Sequence, residues 1–162
     1  MLIRPAVDAD LDAILEIHNY AIRELLSIWT ETEVDREDRE HWLAEHEADG
    51  HPVLVAELDG AVAGYASYGP WRSKSGYRHT VENSVYVAPG YQRQGIARLL
   101  MVDLIEIARE RGIHVMIAAI DAGNSASIAL HEQLGFEPPL VVPEVGTKFD
   151  RWLDLAFMRL QL

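Results

Sequence analysis

The stretch from Thr80 to Gly112 constrains the fold of this chain more than any other. Thr80 to Val87 is rich in β-branched residues and reads as a strand, which Pro89-Gly90 ends. Gly95 to Arg111 reads as a long helix. Its apolar stripe is Ile96, Leu99, Leu100, Leu104 and Ile107, and Gly112 stops it. A strand that feeds a long amphipathic helix through so short a turn calls for a sheet with that helix packed on it.

The turn itself, Gln92-x-x-Gly95-x-Ala97, suits an anion. The first turn of a helix presents unpaired N–H groups and the positive end of its dipole. Small residues at Gly95 and Ala97 leave room for a pyrophosphate to approach the backbone, and Arg93 and Arg98 add charge. An ordinary strand-to-helix turn that happens to hold glycine has the same local pattern. A Walker loop is excluded, because no Gly-Lys-Ser/Thr stands at the required spacing. The dinucleotide fingerprint is excluded as well, since only Gly95 fits it.

The remaining elements follow from local signals. Leu2 to Arg4 is a first strand, at an edge, broken by Pro5. Asp8 or Asp10 caps a helix with Leu11, Ile14, Leu15 and His18 on one face. Residues 20–32 suggest a second helical piece and a loop carrying Trp29, and Asp35 caps a helix running through Trp42 to about His46. Val53 to Leu58 and Ala61 to Tyr68 flank Asp59-Gly60, a hairpin signal. Residues 69–79 read as a loop. Val115 to Ile120 is a buried strand, and Asn124 or Ser125 caps a short helix that Gly135 closes. Val141-Val142 and Trp152 to Leu160 complete the strands. Together these predict a mixed α/β (α+β) fold in one domain over residues 1–162, helices packed on a partly antiparallel sheet.

Charge and composition narrow the function. A formal net charge of −12 argues against an extended nucleic-acid surface and against anionic membranes. It leaves room for one basic pocket. With no cysteine, disulfides, thiolate catalysis and Cys-based zinc sites are excluded. His41 and His46 lie in an acidic helix without a matching pair, and the other histidines are scattered, so no metal site is expected. The absence of an export signal or an apolar span predicts a cytoplasmic protein.

A second stretch bears on the turn. Asn124-x-x-Ser127-x-x-x-His131-x-x-x-Gly135-Phe136 follows a buried strand, with Asn124, Ser127 and His131 spaced to share a helix face. A cap, a small packing residue and a surface histidine would also account for it.

Taken together, the two stretches resemble the GCN5-related N-acetyltransferase superfamily over nearly the whole chain, in the expected order. The resemblance implies a mostly antiparallel twisted sheet with helices on both faces. It also implies central strands splayed at acetyl-CoA. Trp71-Arg72, Tyr77-Arg78-His-Thr80-Val-Glu82-Asn-Ser84-Val-Tyr86-Val and Val145-Gly-x-Lys148-Phe149-x-Arg151-Trp152-Leu-Asp154 look like the phosphinothricin acetyltransferase group, which includes enzymes acting on methionine sulfoximine and methionine sulfone.

The resemblance assigns cofactor binding to Val85, Tyr86, Val87, Arg93, Gln94, Gly95, Ile96, Ala97, Arg98, Asn124 and Ser127. Substrate contacts fall to Trp71, Arg72, Ser73, Lys74, Arg78, Glu82, Asn83 and Ser84. Guanidinium groups at Arg72 and Arg78 suit an anionic acceptor group, and Trp71, Tyr77 and Trp29 are candidates to wall a small pocket. Glu82 is the candidate general base. His131 stands where many members carry the tyrosine that protonates the departing thiolate, so it either takes that role or hydrogen-bonds the cofactor. The resemblance further implies a homodimer, with Lys148, Phe149 and Arg151 closing a pocket from a neighbouring subunit. The expected activity is acetyl transfer from acetyl-CoA to the amine of a small amino-acid-like molecule. Another amine acceptor, such as a peptide N-terminus, a polyamine or an aminoglycoside, and a non-catalytic acyl-CoA-binding module are the competing readings.

Overall fold

A computed structural model describes all of residues 1–162. The chain forms β1 (Leu2–Pro5), α1 (Leu11–Glu24), α2 (Arg36–Ala48), β2 (Val53–Leu58), β3 (Ala61–Pro70), β4 (Thr80–Val87), α3 (Ile96–Glu110), β5 (Val115–Asp121), α4 (Ser125–Gln133), β6 (Leu140–Lys148) and β7 (Arg151–Gln161). All seven strands join one sheet in the order β1-β2-β3-β4-β5-β7-β6. Every neighbouring pair is antiparallel except β4 with β5.

The sheet is covered on both faces, as the alternation of its strands requires. Leu54, Ala56, Ala66 and Tyr68 pack with Leu100, Met101 and Leu104 of α3. Their neighbours Val53, Val55 and Tyr65 pack with Leu11, Ile14 and Ile17 of α1. Gly64 of β3 lets α3 settle on the sheet. A Cβ there would lie 2.7 Å from the Tyr86 carbonyl oxygen and 3.2 Å from Ile96 Cγ2. The β2–β3 hairpin turns on Asp59 and Gly60, both at positive φ (53° and 81°), the geometry that an Asp-Gly pair favours.

The sequence signals are met in most places and displaced in some. Asp35 caps α2 by accepting from the Asp38 N–H. Asn124 caps α4 by accepting from the Ser127 N–H. Asp10 precedes α1 without a side-chain cap bond. Its carboxylate instead holds Arg4 at 2.7 and 2.8 Å and accepts the Val7 N–H. No second helical piece follows α1, because Leu25 is already extended (φ −119°, ψ 163°). On α3 the buried arc includes Met101, Ile105 and Ala108, whereas Leu99 is exposed. No helix is long and apolar enough to cross a membrane.

Candidate active site

β4 and β5 run side by side only from Thr80/Val115 to Glu82/Ile117. Beyond that point they diverge. On the edge of β4 facing β5, the backbone groups beyond Glu82 lack a strand partner, while the other edge stays paired with β3 as far as Val87. A cavity of about 690 Å³ opens at the gap. It is lined by Glu82 to Val87, Ala118 to Asp121, the start of α3 and one side of α4.

The start of α3 is built to receive an anion. None of the backbone N–H groups from Gln92 to Arg98 has an acceptor within the protein. Arg93 and Gly95 both adopt positive φ (60° and 80°), which turns successive N–H groups towards one side. A Cβ at Gly95 would meet open space, so the glycine serves the backbone angle and keeps the approach clear. Arg93, Gln94 and Arg98 are exposed around this mouth. Such a donor array, next to unpaired strand amides, fits a ligand with a pyrophosphate at one end and amides along its length.

The two faces of β4 carry different chemistry. Val81, Asn83, Val85 and Val87 face α3, with Asn83 against Met101. By alternation, Glu82, Ser84 and Tyr86 face α1. Glu82 is half-buried, and burial raises its carboxyl above the ordinary carboxylate range, an effect that nearby Arg72 partly offsets.

His131 lies on the other face and is 2% exposed. Its Nδ1 is 2.8 Å from the Ser127 carbonyl oxygen, which can only accept, so the proton sits on Nδ1. Its Nε2 therefore accepts from Asn83 Nδ2 at 3.0 Å. Burial lowers the imidazole's basicity. Both ring nitrogens are engaged, and neither holds a proton free to move.

Of the expected site residues, Glu82, Asn83, Ser84, Val85, Tyr86, Val87, Arg93, Gly95, Ile96, Ala97, Arg98, Asn124, Ser127 and His131 line the one cavity. Gln94 borders it, donating to the Gly90 carbonyl at 3.4 Å. Trp71, Arg72, Ser73, Lys74 and Arg78 lie outside it, on the exposed connection after β3. There Arg72 stacks on Trp71 at 4.6 Å, Trp71 meets Tyr77 edge-on at 5.2 Å, and Arg78 donates to the Ser75 carbonyl. Trp29 does not join them: its ring covers Gly146 of β6, where a Cβ would overlap Trp29 Cε3.

A wall that sequence reading did not assign comes from Ile17, Tyr20 and Ala21 of α1 with Leu25 and Ser27. The helical spacing of the first three is visible in the sequence, but it reads equally well as ordinary core. No group of three or more acidic or histidine side chains is placed to hold a metal ion.

The sequence of this chain matches the family model described as the acetyltransferase (GNAT) family over residues 14–136, which takes in the splayed strands and the helix-borne anion cradle. The chain belongs to that family and is an acetyltransferase. Among its relatives, an L-methionine sulfoximine/L-methionine sulfone acetyltransferase of Salmonella typhimurium is 51% identical over 162 residues, covering 100% of this chain and 95% of that protein. A ribosomal-protein-alanine N-acetyltransferase from Brucella melitensis is 55% identical with a TM-score of 0.98, both chains covered completely. A GNAT superfamily phosphinothricin acetyltransferase from Sinorhizobium meliloti, solved in complex with acetyl-CoA, is 35% identical with a TM-score of 0.97, covering 99% of this chain and 88% of that one.

Proposed function

We propose that this single-domain protein transfers the acetyl group of acetyl-CoA to the α-amine of a small amino acid analogue of the methionine sulfoximine, methionine sulfone or phosphinothricin type. One observation carries the reading. A half-buried carboxyl with raised pKa, Glu82, stands where β4 leaves β5, in the same cavity as the open N–H cradle of α3.

The N–H groups from Gln92 to Arg98, with Arg93 and Arg98, hold the pyrophosphate. Unpaired groups of Val85, Tyr86 and Val87 take the pantetheine amides, and Asn124 and Ser127 border the pantetheine end from α4. Acetyl-CoA supplies an acyl carbon already activated by its thioester. The acceptor amine attacks that carbon, a C–N bond forms and the C–S bond breaks, its electron pair leaving on the CoA sulfur as a thiolate that takes a proton from solvent. The proton lost by nitrogen passes to Glu82, directly or through one water. Backbone N–H groups at the splay stabilise the charge that develops on the carbonyl oxygen. No covalent enzyme intermediate is required, and the chain has no cysteine to form one.

His131 acts as a buried strut, because its Nδ1–H is spent on Ser127 and its Nε2 on Asn83. Arg72 and Arg78, on the flanking connection, receive the acidic group of the acceptor as that connection folds over Glu82. The exposed apolar residues Leu140, Val141, Val145 and Trp152 on β6 and β7 support a homodimer. The cellular role we assign is detoxification of amino acid analogues in the cytoplasm.

A peptide N-terminus is the second reading, favoured by the name of the Brucella melitensis relative. Free thiol release with acetyl-CoA separates the two. Methionine sulfone, methionine sulfoximine or phosphinothricin should each outpace an alanine-initiated peptide and the acceptor's own carboxamide. Turnover of the peptide alone would overturn the small-molecule reading.

A further inference from the structure

Lys148 is the most deeply buried cation in the molecule, at 2% exposure, and the acetyl-transfer chemistry leaves it without a part. It ends β6, and its ammonium reaches the C-terminal end of α1 and the connection that follows it. Nζ donates to the carbonyl oxygens of Ala21 at 3.3 Å, Leu25 at 2.5 Å and Ile28 at 2.7 Å. An ammonium has three N–H donors, and here each has a carbonyl acceptor. No carboxylate pairs with it in an ion pair; the negative end of α1 takes that place.

Two further contacts tie the same segment down. Glu31 accepts the Phe149 N–H at 2.7 Å, where Phe149 and Asp150 both hold positive φ (52° and 54°). The Trp29 ring covers Gly146, where a Cβ would overlap it. The tip of the β6–β7 hairpin thus grips residues 21–31 from outside.

A buried ammonium is a costly way to gain stability, and an apolar side chain of similar length would fill the space at lower cost. What an apolar residue cannot do is fix three carbonyl oxygens around one point. The segment so fixed is the cavity wall: Ala21, Leu25 and Ser27 line it together with Ile17 and Tyr20. That wall belongs to the α1 side of the sheet, the side to which Glu82 points, and it stands apart from the cradle on α3.

We infer that Lys148 is a positioning residue for the amine site, setting the wall against which the acceptor rests while leaving the acetyl-CoA end untouched. The inference rests on the reading that the acceptor amine meets Glu82 from the α1 side.

Lys148→Met, Lys148→Arg and Glu31→Ala, each in the full chain, test it. In Lys148→Met, hydrogen exchange at the last turn of α1, where the Leu25 N–H donates to the Ala21 carbonyl, should quicken by about tenfold or more. The acceptor KM should rise about tenfold, with kcat and the acetyl-CoA KM within about twofold of wild type. Lys148→Arg, which keeps the charge and donors, should recover at least half of that rise on a logarithmic scale. Glu31 is exposed, so Glu31→Ala loosens the same segment without burying a change, and it should raise the acceptor KM about threefold even if Lys148→Met fails to fold. A purely structural lysine would lower the melting temperature and leave the acceptor KM in place. Unchanged exchange, an unmoved acceptor KM, or equal rises in both KM values would overturn the inference. A wild-type enzyme that turns over none of the amines would overturn the functional reading beneath it. Normal wild-type turnover with an unmoved acceptor KM in the variants would remove the role of Lys148 alone.

Discussion

Asn83 Nδ2 donates to His131 Nε2 across 3.0 Å, on the face of β4 opposite to Glu82. The bond fixes the imidazole as the Nδ1–H tautomer and joins β4 to α4 just below the splay. It also bears on the proposed role of His131. A histidine whose lone pair is occupied and whose proton is held by a carbonyl braces a site more readily than it protonates a leaving thiolate.

His131→Phe should therefore cost stability more than chemistry. Asn83 Oδ1 already lacks a partner in the protein, and the substitution leaves Nδ2 with only the weak acceptor Met101 Sδ, a loss of about 1–3 kcal/mol. The maximal rate should fall less than about tenfold, against the 10²–10⁴-fold expected of a lost general acid. Thermal unfolding and single-turnover rates measured together distinguish the two.

Gly64→Ala should weaken acetyl-CoA binding from a position outside the cavity. The new methyl meets the Tyr86 carbonyl at 2.7 Å and Ile96 at 3.2 Å, and so pushes the strand and the first residue of α3 apart. Overpacking of this kind costs about 1–3 kcal/mol. Titration calorimetry should show a weaker acetyl-CoA Kd, while the acceptor KM changes little.

Stability should fall on mild acidification. Burial lowers the pKa of His18 to about 4, and it lowers those of His51 and His131. These groups stay neutral in the folded state, whereas unfolded histidine binds a proton near pH 6.5. Their contribution is thus fully present above about pH 6.5 and is lost as the pH falls through that value towards 4. Asp10, held below the ordinary range mainly by its bonds to Arg4, adds its loss only at lower pH. The melting temperature should already decline between pH 6.5 and 5, and His18→Asn should flatten that decline.

The sheet and the cradle were legible because their signals are local. Thr80 to Val87 is bounded by glycine and proline, and it forms β4 with those limits. The Gln92 to Ala97 turn and the Asn124 cap fall on the cavity for the same reason. Of β6 the sequence shows only Val141-Val142, whereas pairing with β7 carries the strand from Leu140 to Lys148, past Pro143, through an irregular register between Val142 and Gly146. The apolar stripe of α3 is narrower in the sequence than in the fold, since a helix lying on a sheet buries a wider arc than one row of residues. The grip of Lys148 on Leu25 spans 123 residues of sequence, and no local pattern encodes it.

Glu82 carries the central claim, and its replacement tests that claim most directly. The wild-type rate should rise with pH through a group lying above the ordinary carboxylate range, because only the ionised carboxyl takes the proton. Arg72→Met removes a charge that favours ionisation, so it should move that limb to higher pH. In Glu82→Gln, acetyl-CoA should bind as in wild type while acetyl transfer to methionine sulfone near neutral pH slows by about 10²–10⁴-fold, with the pH limb lost. A Glu82→Gln enzyme that acetylates at the wild-type rate with an unaltered pH profile would contradict the account.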